Sequence, residues 1–130
     1  MVQKRDRMKD IATRQDIEQI MRSFYDKLLA DESISYLFTK VIELDLEAHF
    51  PILVDFWDGI IFGSHTYKKN AMQPHLDLAK KSPLTKAHFE TWLRYLFASI
   101  DEDFEGINAH TMKARAQNIA SLMEFKVGAE

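Results

Sequence analysis

The chain has 130 residues, which fits one domain and is long enough to enclose a single hydrophobic core. Hydrophobic residues make up 46% of it and charged residues 28%, a balance typical of a folded globular protein. The formal net charge of −3 and the lack of a basic stripe argue against a nucleic-acid partner. The absence of cysteine excludes disulfides, thiolate metal sites and thiol catalysis.

The N-terminal segment is rich in Lys and Arg but lacks the apolar stretch of a signal peptide. No apolar run in the sequence is long enough to cross a bilayer. We therefore expect a cytoplasmic protein with no membrane partner. Residues 1–12 are predicted to form a flexible extension, followed by a single domain over residues 13–130.

The first helix is predicted from a capping box formed by Thr13 and Asp16. Apolar residues then recur at helical spacing, at Ile17, Ile20, Met21, Phe24, Tyr25, Leu28 and Leu29. A short helical segment is expected over residues 34–38, with Leu37 and Phe38 pointing inward.

Asp45 is the predicted N-cap of a second long helix that ends at Gly63. One face of this helix carries Leu46, His49, Phe50, Leu53, Trp57, Ile60 and Ile61. Pro51 lies inside the pattern, and proline is best tolerated in a first helical turn. Either the helix begins near Phe50 or its opening turn is distorted around His49.

Residues 63–74 show no steady period and predict a long connection, a kind of loop that usually has a function. A short helix is expected over residues 75–81, and another from Ser82 and Pro83. The break at Gly106 and a cap at Asn108 predict a last helix. No strand pattern competes, so the fold class is predicted to be all-α.

The histidines lie too far apart for a classical multi-histidine metal site, at positions His49, His65, His75, His88 and His110. A di-iron bundle would need two Glu-x-x-His motifs and a zinc protease would need His-Glu-x-x-His, and neither motif occurs. A cofactor site with a single histidine remains possible, whereas a dedicated zinc site does not.

Aromatic and histidine landmarks follow one another through the chain as Phe24-Tyr25, Phe38, His49, Phe56-Trp57, His75-Leu76-Asp77-Leu78 and His88-Phe89-x-x-Trp92-Leu93. In this combination the sequence resembles a truncated haemoglobin, closest to group III, from about Thr13 to Lys126. The glycine pairs typical of groups I and II are missing. The resemblance implies a truncated globin fold, a 2-over-2 helical sandwich around haem b.

Position by position, the resemblance implies that His75 is the proximal ligand of the haem iron. Three residues, Tyr25, His49 and Trp92, would stabilise a ligand on the distal side. The other implied cofactor-binding residues are Phe38, Leu53, Trp57, Tyr67, Lys68, Leu78 and Phe89. From the residues alone, His75 would ordinarily be a polar loop histidine, and Tyr25 and Trp92 would first of all fill the core. His49 could equally be a histidine at the edge of the core or on the surface.

The implied function is binding of oxygen, carbon monoxide, nitric oxide or similar ligands, as in oxygen transport or binding. It could extend to nitric oxide dioxygenase or peroxidase-like chemistry, with an electron-donating reductase as partner. One alternative is a cofactor-free helical interaction domain that binds a partner helix in aromatic-rich grooves. Another is a haem-based sensor, which would require a signalling output beyond this domain.

Overall fold

The computed structural model describes residues 8–65, 67 and 69–129, and in this part of the chain it is all-helical. The helices are α1 (Arg14–Ala30), α2 (Glu32–Tyr36), α3 (Leu46–Phe62), α4 (Met72–Lys81), α5 (Lys86–Asp101) and α6 (Ile107–Val127). A π-helical turn, Leu37–Val41, directly follows α2. The predicted all-α class is therefore confirmed.

Local caps fix the start of α1 and both ends of α3 where the sequence predicted them. The Thr13 hydroxyl accepts from the Asp16 N–H at 3.1 Å, and the Asp16 carboxylate accepts from the Thr13 N–H at 3.1 Å. Asp45 caps α3, which ends at Gly63 in the left-handed conformation with a φ of 73°.

Pro51 lies within α3 without breaking it. The helix begins at Leu46, and the N–H of His49 donates to the Asp45 carbonyl at 3.0 Å. A start near Phe50 is therefore ruled out, and the backbone is helical on both sides of His49. Proline removes one backbone donor, and the remaining backbone hydrogen bonds keep this 17-residue helix continuous.

The prediction for the start of α4 was wrong by one turn. The Asn70 side-chain oxygen accepts from the N–H groups of Met72 at 3.0 Å and Gln73 at 3.4 Å. This cap starts the helix at Met72, so Pro74 falls in its first turn, where its missing N–H costs little. Because α4 begins earlier than predicted, the connection between α3 and α4 is about one helical turn shorter than the predicted residues 63–74.

The predicted start of α5 at Ser82 and Pro83 was also wrong. Thr85 is the N-cap, and its hydroxyl accepts from the His88 N–H at 3.2 Å. The Thr85 N–H donates in return to Nδ1 of His88 at 3.1 Å. The helix therefore begins at Lys86, with histidine in the place that Glu or Gln usually takes in a capping box.

The start of α6 is capped from the other end of the chain, and not by Asn108 as predicted. The carboxylate of Asp10 accepts from the N–H groups of Asn108 at 2.8 Å and Ala109 at 2.9 Å. A Cβ atom on Gly106 would lie 2.4 Å from Cγ of Asp10, and the φ of Gly106 is 148°. Only glycine leaves room for this cap.

The segment before α1 is packed onto the domain. Ile11 is 1% exposed, and its carbonyl accepts from the Asn108 side-chain amide at 2.8 Å. Lys9 forms an isolated β-bridge with Phe104. The flexible extension predicted for residues 1–12 is therefore wrong at residues 9–11, while residues 1–7 lie outside the described part of the chain.

The long helices pack as two pairs, α1 with α3 and α5 with α6, and α1 also packs against α5. This is the 2-over-2 arrangement that the sequence predicted. The short α4 packs against α6. None of the described helices is long and apolar enough to cross a membrane.

Replacing Asp10 with Ala should lower the free energy of unfolding by about 1 kcal/mol, the usual effect of losing a helix N-cap. Urea denaturation followed by circular dichroism measures the change. Asp26→Ala is the matched control, because Asp26 is exposed on α1. An equal loss in both variants would show that the cap at α6 contributes nothing specific.

Candidate functional site

An apolar cavity of about 400 Å³ lies among α1, α3, α4, α5 and α6. A smaller adjoining cavity of about 80 Å³ shares part of its wall. The residues that line both are Tyr25, His75, Trp92 and Met123. The size and apolar lining are typical of sites that hold a small molecule or cofactor.

His75, the predicted axial ligand, lies on α4 at the wall of both cavities. Its Nδ1 is 2.8 Å from the carbonyl oxygen of Ala71. A carbonyl can only accept, so Nδ1 carries the proton and Nε2 keeps its lone pair. Burial lowers the pKa of His75, although the bond to Ala71 opposes this. The ring is therefore a neutral imidazole with one nitrogen available to a metal.

Tyr25 is buried on α1, and neighbouring rings hold its side chain in place. It makes edge-to-face contacts with Phe38 at 5.6 Å, His49 at 5.8 Å and Phe50 at 5.8 Å between ring centroids. Burial raises the pKa of Tyr25 well above its ordinary value, so its hydroxyl stays protonated at neutral pH.

Trp92 lies on α5, with its ring 5.8 Å from that of Phe24 in an edge-to-face contact. Among the described residues, neither its indole N–H nor the Tyr25 hydroxyl has a hydrogen-bond partner. Neither of these two donor atoms is fully enclosed by the protein. Both donors are therefore open to the cavity and free to serve a molecule inside it.

His49 is half-buried on α3 and lines the larger cavity. Burial lowers the pKa of His49, and the repulsion that a protonated His75 would exert on a protonated His49 lowers it further. The two imidazoles thus face the same cavity from α3 and α4. Both are neutral at pH 7.

All but one of the other predicted cofactor-binding residues line the two cavities. The larger cavity is lined by Leu53, Trp57 and Tyr67, and the smaller by Phe38, Leu78 and Phe89. The Tyr67 ring packs edge-on against Phe56 at 5.2 Å. Lys68 lies outside the described residues.

His88 was given no role from the sequence, yet it lines the smaller cavity. Because its Nδ1 accepts from the Thr85 N–H, its Nε2 carries the proton and donates to the Tyr36 hydroxyl at 3.1 Å. The spacing from Thr85 to His88 is that of a capping box, and it could have indicated the bonds between these two residues. It was missed because Glu or Gln is the expected partner in a capping box.

The family model described as bacterial-like globin matches residues 8–126. The chain belongs to the bacterial-like globin family. It is 27% identical over 110 residues to the group 3 truncated hemoglobin ctb of Campylobacter jejuni, covering 82% of this chain and 84% of that protein. The crystal structure of group III truncated hemoglobin from Campylobacter jejuni matches with a TM-score of 0.79 and 26% identity, covering 92% of this chain and 95% of that one.

These similarities confirm the resemblance to group III and the truncated globin fold. The cofactor of this globin family is haem b, and its members bind small diatomic ligands such as oxygen. The residues present suit that cofactor, since a neutral imidazole with a free Nε2 lies beside a large apolar cavity. A cofactor-free helical interaction domain is not favoured.

The haem-free chain should lose stability as the pH falls below 6.5, the ordinary pKa of histidine. Burial lowers the pKa of His49 and of His75 in the folded state, so the unfolded chain binds more protons and is favoured by acid. Urea denaturation between pH values of about 7.5 and about 5.5 measures the slope.

The double variant His49→Gln/His75→Gln should flatten this dependence. The matched control is His65→Gln/His110→Gln, which changes two exposed histidines. An unchanged slope in the first variant would contradict the assignment of the pH effect to the cavity.

Proposed function

We propose that this chain holds haem b with His75 as the proximal ligand of the iron. The observation that carries the proposal is the bond from Nδ1 of His75 to the Ala71 carbonyl at 2.8 Å, at the wall of an apolar cavity. It fixes the tautomer and the ring orientation, as outer-shell hydrogen bonds do for metal-ligating histidines. When bound, haem supplies an iron centre that takes one diatomic ligand.

The apolar side chains that line the two cavities would form the walls around the macrocycle and exclude water. These are Phe38, Leu53, Trp57, Leu78 and Phe89. Tyr67 would lie near the haem propionates, and Lys68 follows it directly in the sequence, so this segment supplies a hydroxyl and a cation, both of which suit carboxylates. This assignment is supported by Tyr67 at the cavity wall.

The distal side would be formed by Tyr25, Trp92 and His49. The Tyr25 hydroxyl and the Trp92 N–H are donors that no described residue uses. In a dry pocket such donors stabilise a ligand that carries partial negative charge, and they slow its release. His49 would border the route to the ligand, because it is half-buried at the edge of the larger cavity.

Slow release suits retention and redox conversion of a ligand better than oxygen delivery. We therefore infer a role in oxygen and nitric oxide chemistry or in peroxide chemistry, supported by the two unused donors in an apolar cavity. Such turnover would need an electron-donating reductase as partner.

The haem site can be tested by titrating the protein with haemin and recording the Soret band. We expect saturable binding of one haemin per chain, followed by a carbon monoxide spectrum after reduction. His75→Ala should abolish or alter both spectra, and added imidazole should restore them in part. His110→Ala is the control, since His110 is exposed and lies outside both cavities. No saturable binding by the unaltered protein would refute the proposal.

Replacing Tyr25 with Phe should raise the oxygen dissociation rate constant about ten- to a hundredfold, because a hydrogen bond to a charged group is lost. Stopped-flow displacement by carbon monoxide measures the rate. Tyr95→Phe is the control, since the Tyr95 hydroxyl donates to Asp31 at 2.6 Å and Tyr95 lines neither cavity. If both variants release oxygen at the rate of the unaltered protein, the Tyr25 hydroxyl has no such role.

A further inference from the structure

The connection between α2 and α3 forms part of the wall of both cavities. We define the strap as residues 37–44, which begin with the π-helical turn and end just before the cap of α3. Leu37 and Phe38 line the smaller cavity, and Leu44 lines the larger one. A cofactor that fills both cavities would therefore contact the strap at its two ends.

The backbone of the strap has two uncommon conformations. A π-helical turn is rare and occurs mostly as a single turn, often at a functional site. Glu43 has a φ of 45°, in the left-handed region that residues other than glycine seldom adopt. Such conformations persist only where the surrounding structure holds them in place. The strap therefore needs contacts with the rest of the domain.

The hydrogen bonds of the strap itself are local. The Leu44 N–H donates to the Phe38 carbonyl at 2.8 Å, and the Thr39 hydroxyl donates to the Ser35 carbonyl at 3.3 Å. Leu37 is buried, whereas Phe38 and Leu44 are only half-buried. Within the part of the chain that the structure describes, no hydrogen bond joins the strap to α1, α3, α4, α5 or α6.

The bond between His88 and Tyr36 supplies this connection from the residue next to the strap. Tyr36 is the last residue of α2. Its hydroxyl lies 3.1 Å from Nε2 of His88 in the first turn of α5, and the two ring centroids are 5.9 Å apart. Because the Thr85 N–H donates to Nδ1 of His88, the proton of the neutral ring is on Nε2. The cap of α5 thus fixes the donor that the Tyr36 hydroxyl accepts from.

We propose that the bond from His88 to Tyr36 clamps the strap to α5 and thereby positions Phe38 and Leu44 against the cofactor. The proposal rests on the haem function proposed above. The clamp also acts on the distal side, because the Phe38 ring packs edge-on against Tyr25 at 5.6 Å. In this role His88 and Tyr36 are positioning residues, since they act on the cofactor through the strap.

Tyr36→Phe tests the clamp, because it removes the hydroxyl and leaves the aromatic ring and the cap of α5 in place. We expect haemin loss from the ferric protein to excess apomyoglobin to become about two- to tenfold faster, the effect of one lost hydrogen bond. Tyr95→Phe is the matched control. It removes another hydroxyl bond from α5, to Asp31 at the start of α2, and Tyr95 lines neither cavity.

A double-mutant cycle separates the clamp from the other contacts of His88. His88→Ala removes the bond to Tyr36 together with the capping bond to Thr85, so it should speed haemin loss more than Tyr36→Phe does. In the His88→Ala protein, adding Tyr36→Phe should have no further effect, because the shared bond is already lost. Additive effects of the two substitutions would overturn the proposal.

Hydrogen exchange of backbone amides gives a readout that does not depend on haemin. In Tyr36→Phe, the Leu44 N–H, which is bonded to the Phe38 carbonyl, should exchange faster than in the unaltered chain. The Ser82 N–H, bonded to the Leu78 carbonyl at 2.9 Å at the end of α4, should keep its rate. A general loss of stability would speed both amides, so the pair separates local loosening from global unfolding.

The clamp is refuted if the unaltered protein and Tyr36→Phe lose haemin at the same rate, or if Tyr95→Phe speeds the loss equally. An unchanged exchange rate at Leu44 would also overturn it. Failure of the haem function has a different signature, since the unaltered protein would then show no saturable binding of haemin.

Discussion

The constraint on which this structure depends is an apolar cavity held open inside a domain of only 130 residues. Side chains that line such a cavity have no packing partners on one side and lose dispersion contacts there. A flat apolar cofactor restores those contacts, so its binding free energy adds to the stability of the folded state. The 2-over-2 packing serves the same constraint, because α1, α3, α4, α5 and α6 all contribute side chains to the wall of the cavity.

Aromatic contacts keep the cavity open and fix its polar groups. Tyr25 has ring neighbours on several sides, among them Phe24 at 5.3 Å and Phe38 at 5.6 Å, so its hydroxyl has little freedom to move. Phe24 also holds the Trp92 ring. On α4, the His75 ring is oriented by its bond to the Ala71 carbonyl. Few polar groups enter the cavity, and each is oriented by the packing or bonding of its own side chain.

The sequence predicted those parts of the fold that local signals determine. The start of α1 at Thr13 and the ends of α3 depend on caps within the same few residues, and the structure has them there. The start of α6 depends on Asp10, which lies 98 residues before Asn108 in the chain. No local pattern could have shown that pairing, so a neighbouring polar residue was taken for the cap.

The predicted site residues came from the family resemblance and not from local signals. Helical periodicity places Tyr25 and His49 on inward faces, and it cannot tell a core position from the wall of a cavity. Only the ordered landmarks of the family resemblance separated the two cases. His88 belongs to the last of these landmarks, but the resemblance gave it no role, so its bond to Tyr36 appeared only in the structure.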